Sequence, residues 1–207
     1  MIDFYTYGSI NGRTVAIALE EMQVRYQAHV IDLMQGEQRT ESFLAINPSG
    51  RIPVIVDHLD SGDLVLSQTG AILIYLAEKT GQLLGNTAAE KAHITQWLMF
   101  QLTDISVNLF NNFYLKCLIK DKQPAAGDAL KQRAMAFFKE HEQSLAQHEF
   151  LCGPSLSVAD LSCYPAVAML ADDLLDDKHP NLARWYAAMS QRPATQKGMA
   201  LGAKPNH

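Results

Sequence analysis

Cysteine is scarce in this chain, and what there is forms no pattern. Cys117, Cys152 and Cys163 are odd in number and give no C-x-x-C pair, which excludes a disulfide scaffold and a cysteine-based zinc site. The seven histidines never fall at H-x-x-x-H or H-E-x-x-H spacing, so no metal centre is expected. Basic charge is not in excess: the net charge is −5, which leaves no electrostatic footprint for nucleic acid. No apolar run approaches the ~18 residues of a membrane span, so no membrane partner is expected. The opening, MIDFYTYGS, carries an acid at position 3 and no apolar stretch, so no signal peptide is expected either. Repeats and low-complexity stretches are also missing. Together these absences point to a reduced, cytoplasmic protein.

What is present is an ordinary globular composition, 48% hydrophobic and 19% charged over 207 residues. That length suits one large or two small domains. The character of the chain changes near residue 81. Before it, IDFYTY, YQAHVIDL, IPVIVDH and DLVLS read as strands, and GRTVAIALEEM, TESFLAIN and QTGAILIYLAEKTG as helices. Val15, Leu19 and Met22 share one helix face, and Gly81 stands where a helix would end. The order β-α-β-α-β-β-α predicts a mixed four-stranded sheet with helices packed on it. After the connector QLLGNTA, strand signals vanish. Residues 89–119, 126–148, 157–175 and 181–192 each read as helix, the last closed by Pro193. The expected division is an α/β domain over 1–81 and an all-helical domain over 87–207.

Three stretches carry chemistry. In NPSGRIPVIVDH, Pro53 heads a strand, where it removes a ladder donor and is confined to first positions, edges and bulges. In SQTGAILIY, Gln68 and Thr69 stand where a strand passes into a helix, so a hydroxyl, an amide and unpaired backbone N–H groups can meet one anion. Ser67 or Thr69 acting as a plain N-cap explains the same residues without a ligand. In TYGSINGR, Gly8 lets the chain turn and Ser9 lands just before a helix opening at about Gly12. An anion placed there meets a hydroxyl donor and the positive end of a helix dipole.

In this order and spacing YGSING, RIPVI, QTGAILIYLAEKTG and SVADLSCYP resemble a cytosolic glutathione transferase, with a thioredoxin-like N-terminal domain followed by an all-helical one. The match covers most of the chain. The opening, Gln38, RIP and GAILIYLAEKTG are most similar to the bacterial Nu-class branch, which carries disulfide oxidoreductases. That branch usually has Thr-Pro-Asn-Gly where this chain has Ser9-Ile10-Asn11-Gly12.

The resemblance implies glutathione as co-substrate and no metal. It implies a cis bond before Pro53, with the Ile52 backbone pairing with the cysteinyl unit. It implies Gln68 and Thr69 at the γ-glutamyl end, and Gln38 and Arg51 beside the glycyl end. Ser9 is the first candidate to hold the thiolate, Asn11 the second and Tyr7 the third. Such an enzyme conjugates electrophiles or reduces disulfides and peroxides, and forms homodimers. A non-catalytic binding module of the same fold is the alternative.

In the helical part, Ser157 and Asp160 have the form of a capping box. Trp97, Phe100, Phe110, Phe113 and Tyr114 follow helical spacing and are expected mostly in the core. Cys117 and Cys163 read as small buried fillers.

Overall fold

The computed structural model describes residues 1–202. The elements run β1 (Ile2–Thr6), α1 (Ile10–Glu21), β2 (Tyr26–Val30), α2 (Glu41–Ile46), β3 (Val54–Leu59), β4 (Gly62–Ser67) and α3 (Thr69–Thr80). They continue with α4 (Ala88–Phe100), α5 (Val107–Phe113), α6 (Pro124–Leu145), α7 (Val158–Met169), α8 (Ala171–Leu174), α9 (Pro180–Ser190) and α10 (Pro193–Ala200). Packing divides them into two units, Leu83–Ala188 on one hand and Met1–Gln82 with the segment from Met189 onward on the other. The second stretch of the first unit was read from the sequence as part of the helical domain.

The first unit is built on a sheet of order β2-β1-β3-β4, with β1 parallel to β2 and antiparallel to β3. The parallel pair requires a crossover, and α1 provides it. β1 alternates buried and half-buried residues, whereas Val54–Asp57 of β3 are all buried. The core joins Ile2, Phe4 and Ile55 of the sheet to Ile17, Leu19, Ile72, Leu73 and Leu76 of α1 and α3. Asp57 is buried among them because Lys79 Nζ and Tyr75 Oη each donate to it at 2.6 Å. Gly81 ends α3 at φ 67, the left-handed conformation its lack of Cβ permits.

α10 is an element the sequence reading lacked. Pro193 closes α9 and also opens α10, because its missing N–H costs nothing in a first helical turn. α10 lies along α1. Arg192 forks onto Glu21 at 2.6 and 2.8 Å, and a Cβ built on Gly198 would stand 2.5 Å from the backbone nitrogen of Ile17.

The second unit is helical, around a buried α7. Val158–Val167 are all buried, and Asp160 accepts from Ser157 N–H and Oγ–H, Leu151 N–H and Trp185 Nε1–H at 2.8–3.0 Å. The long helical pattern of 89–119 is α4 and α5 joined and followed by π-helical turns at Gln101–Ser106 and Tyr114–Leu118. These wide turns shift the helix face, and the aromatic expectation fails. Phe110, Phe113 and Tyr114 are exposed, and Trp97 and Phe100 are only half-buried. Cys163 is buried as expected, but Cys117 is exposed in the second π-helical turn. No helix among the described residues is long and apolar enough to cross a membrane.

Candidate functional site

Strand register brings four chain segments to one end of the sheet. Tyr5 lies opposite Val54, Val54 opposite Ser67, and Thr6 opposite Val30. The residues that follow β1, β2 and β4, and those that precede β3, therefore leave the sheet together. They are Tyr7–Ser9, the loop that starts at Ile31, Gln68–Thr69 and Ile52–Pro53.

Ser9 is the N-cap of α1, in extended conformation at φ −95 and ψ 166. The helix opens at Ile10, two residues before the start the sequence suggested, because Ser9 Oγ accepts from Gly12 N–H at 3.2 Å and closes the first turn. The Ser9 N–H donates to the Tyr7 carbonyl at 2.7 Å. The Oγ–H proton is not consumed by the cap, so the hydroxyl can donate outward while it accepts from the helix. α1 has no acidic residue in its first turn, so the positive end of its dipole is uncompensated there. Asn11 falls inside this turn and is exposed. Tyr7, half-buried, precedes the cap and contributes its carbonyl to it.

The Ile52–Pro53 peptide is cis, and β3 begins only at Val54. Neither the N–H nor the C=O of Ile52 makes a backbone hydrogen bond among the described residues. Both remain for an extended ligand to pair with.

Gln68 occupies the N-cap position of α3 at φ 75 and ψ 118, a region sparsely populated by residues with a side chain. No side chain caps this helix, so neither Ser67 nor Thr69 plays the plain capping role, and the first turn contains no acid. α2, α4 and α7 each place an acidic residue there. The α3 N-terminus thus offers unpaired N–H groups, a buried Thr69 and an uncompensated dipole to an anion.

Gln38 sits in a 3₁₀ turn, Glu37–Arg39, and its buried Oε1 has no partner among the described residues. Its carbonyl oxygen lies 3.0 Å from where a Gly50 Cβ would stand, so this turn packs against the segment that leads into Arg51 and Ile52. The Arg51 carbonyl accepts from Asn47 Nδ2 at 2.7 Å, and the residue itself is exposed. No group of three or more His, Cys, Asp or Glu among the described residues is placed to hold a metal.

Two features of this site escaped the sequence. The backbone of Gln68 carries no local signal, since glutamine is not a left-handed residue. Gly12 did carry one, a glycine inside a helical pattern. Any side chain there would run into the Tyr7 carbonyl and Thr6 Oγ1, so the turn closes onto bare backbone.

Residues 8–79 match the family model for the glutathione S-transferase N-terminal domain, and residues 124–188 match that for its C-terminal domain. The chain belongs to the glutathione S-transferase family. Within that family it is 34% identical to the disulfide-bond oxidoreductase YfcG of Escherichia coli over 97% of this chain and 94% of the relative. It is 28% identical to YghU of the same organism, also a disulfide-bond oxidoreductase, over 95% of this chain and 73% of that one. A glutathione transferase of Burkholderia graminis, solved with two glutathione molecules per subunit, superposes with a TM-score of 0.89 at 29% identity, covering 99% and 89% of the two chains. One from Pseudomonas putida, with glutathione disulfide bound, gives 0.86 at 28% identity over 98% and 92%. The thioredoxin-like fold followed by a helical part is the fold of these transferases.

Proposed function

We propose that the protein is a glutathione-dependent enzyme that binds the tripeptide across the converging strand ends and uses its thiol as thiolate to reduce disulfides. The observation that carries this is the convergence itself. A hydroxyl at an uncompensated helix N-terminus, an unpaired backbone at Ile52 and a second uncompensated N-terminus line one end of one sheet. Residues 1–81 form the glutathione-binding part, with α10 packed on it; of the helical domain expected over 87–207, α10 belongs to that first unit, and residues 203–207 lie outside the described residues.

Glutathione lies with its γ-glutamyl carboxylate at Thr69 and the α3 amides, and Gln68 beside the α-amino group. Its cysteinyl unit runs antiparallel to Ile52, ahead of Pro53, and Gln38 and Arg51 flank the glycyl end. The sulfur then meets Ser9 Oγ–H at the start of α1, with Asn11 the second candidate donor and Tyr7 the third. A thiol of pKa ~8.5 is only a few per cent ionised at pH 7, and a drop of about two units makes thiolate the major form.

The thiolate attacks one sulfur of a disulfide RSSR, giving the mixed disulfide GSSR and releasing RS⁻. A second glutathione thiolate attacks the glutathione sulfur of GSSR, forming GSSG and releasing the second RS⁻. The two electrons that reduce RSSR come from the two glutathiones. Support for disulfide exchange over conjugation comes from the two disulfide-bond oxidoreductases among the relatives and the paired or oxidised glutathione of the structural neighbours.

The protein works as a homodimer, and the exposed apolar residues Val107, Phe110, Phe113, Tyr114 and Leu118 give a second copy a surface to cover. Light scattering at micromolar concentration reads the dimer mass, and a monomer refutes it.

A small dialkyl disulfide and a chloronitrobenzene assayed side by side with glutathione test the reaction. Turnover of the disulfide is expected, and glutathione binding without turnover of either supports a non-catalytic module. Ser9→Ala is expected to raise the pKa of bound glutathione and cut turnover at neutral pH by roughly ten- to hundredfold. Tyr7→Phe should do much less. A silent Ser9→Ala with a dead Tyr7→Phe or Asn11→Ala moves the role to that residue.

A further inference from the structure

The C-terminal segment reaches the turn that carries Ser9. α10 runs antiparallel to α1: Arg192 meets Glu21, Gly198 presses on Ile17, and beyond the helix Gly202 lies against Tyr7 and Gly8. A Cβ built on Gly202 would stand 2.8 Å from the Gly8 nitrogen and 2.9 Å from the Tyr7 carbonyl carbon. Both are backbone atoms, so nothing flexible could swing aside. Gly202 also holds φ +69, which disfavours any side chain.

Gly12 meets the same turn, with the Tyr7 carbonyl so near that a Cβ has no room. The Ser9 N–H bond to Tyr7 O and the Gly12 N–H bond to Ser9 Oγ complete the fit. Two bare glycine backbones thus approach the Tyr7–Gly8 peptide, one of them nearly two hundred residues away in sequence. Without the Gly202 contact the turn could shift, and the aim of Ser9 Oγ would move with it.

From this we infer that Gly202 is a positioning residue for the thiol site: its backbone, pressed on the Tyr7–Gly8 peptide, fixes the turn that aims the Ser9 hydroxyl. The inference rests on the proposed role of Ser9 as donor to the glutathione sulfur. A side chain at Gly202 displaces the turn, lengthens the hydrogen bond to sulfur and leaves the tripeptide's other anchors at Ile52, Gln68 and Thr69 untouched.

The experiment measures the pH dependence of turnover and the ultraviolet thiolate absorbance of bound glutathione in four proteins: the parent, Ser9→Ala, Gly202→Ala and Gly81→Ala. Gly81 holds φ +67 with no atom within 4 Å of a built Cβ, so its substitution exacts the same backbone cost without the close approach. Gly202→Ala is expected to raise the apparent thiol pKa by about one, to lower kcat about threefold at neutral pH, and to leave KM for glutathione nearly unchanged. Gly81→Ala should lower the melting temperature and leave the pH profile in place. Gly202→Asn separates the two effects, since asparagine tolerates positive φ but still carries a Cβ, and it also serves if the alanine variant folds poorly. It should shift the profile as alanine does.

If Ser9→Ala shifts the profile and neither Gly202 variant does, the positioning role is overturned and the Ser9 reading stands. If Ser9→Ala leaves the profile in place, the Ser9 reading fails and takes the inference with it.

Discussion

His141 makes the second unit acid-sensitive by a calculable amount. The side chain is fully buried on α6, ringed by Trp97, Phe100 and Phe138 with centroids 5.1–5.7 Å away. Nδ1 faces the Phe137 carbonyl at 3.4 Å, and Nε2 is buried with no partner among the described residues. Burial pushes the imidazole down from 6.5 to about 4, against a smaller opposing pull from the Phe137 carbonyl. The folded chain therefore stays unprotonated where the unfolded chain binds a proton. Stability from this group is complete above pH 6.5, is lost as the pH falls, and levels off below about 4. Each pH unit in that window costs about 1.4 kcal/mol, on the order of 3 kcal/mol in all. That is a large share of the 5–15 kcal/mol typical of a whole protein.

The perturbation is His141→Leu, which keeps an apolar side chain of similar size in the aromatic ring. The assay is urea denaturation followed by tryptophan fluorescence, from pH about 7.5 to about 4.5. Both tryptophans, Trp97 and Trp185, lie in this unit, so the signal reports on it alone. The stability difference between variant and parent should grow in the variant's favour by about 1.4 kcal/mol per pH unit below 6.5. All other titrating groups are common to both and cancel. Parallel pH profiles for the two proteins would refute the reasoning.

Three further outcomes follow from the packing and the backbone. Asp160→Asn sets an amide N–H against buried donors that need an acceptor, at a cost of about 3 kcal/mol or more, read as a fall in melting temperature with red-shifted Trp185 emission. An unchanged melting temperature contradicts it. Gly198→Ala forces α10 off α1 and costs about 1–3 kcal/mol by urea titration, whereas a neutral result means that α10 yields freely. Gln68→Gly relieves a backbone strain of about 1–3 kcal/mol, so the protein should gain stability while KM for glutathione rises severalfold. If stability does not rise, the strain is absent.

Much of the first unit was legible because each local signal had one cheap reading. Short apolar runs such as IPVIVDH and DLVLS read as strands, and Gly81 read as the end of α3. Gln68 and Thr69 were legible as a strand-to-helix junction, but the positive φ of Gln68 was not, since it is imposed by surroundings rather than preferred by glutamine. Pro193 misled because a proline that ends one helix is equally suited to begin the next. Phe110, Phe113 and Tyr114 misled because a fixed period of 3.6 cannot register the wide turns that flank α5. Cys117 lies in the second of those turns, and its exposure follows from the same cause.

The lengthwise fit of α10 on α1 bears on the order of assembly during synthesis. Glu21 and Arg192 meet across 171 positions of sequence, so the first unit is not finished when its sheet has left the ribosome. Joining ends that far apart as free chain carries an entropic penalty of about 4.5 kcal/mol. Folding of residues 83–188 as a unit of its own before α10 docks would shorten the free chain left to close. Until then the apolar residues of α1 that α10 covers stay wet, and the Ser9 turn lacks the contact from Gly202. A newly made chain would thus acquire its sheet early and its chemistry last.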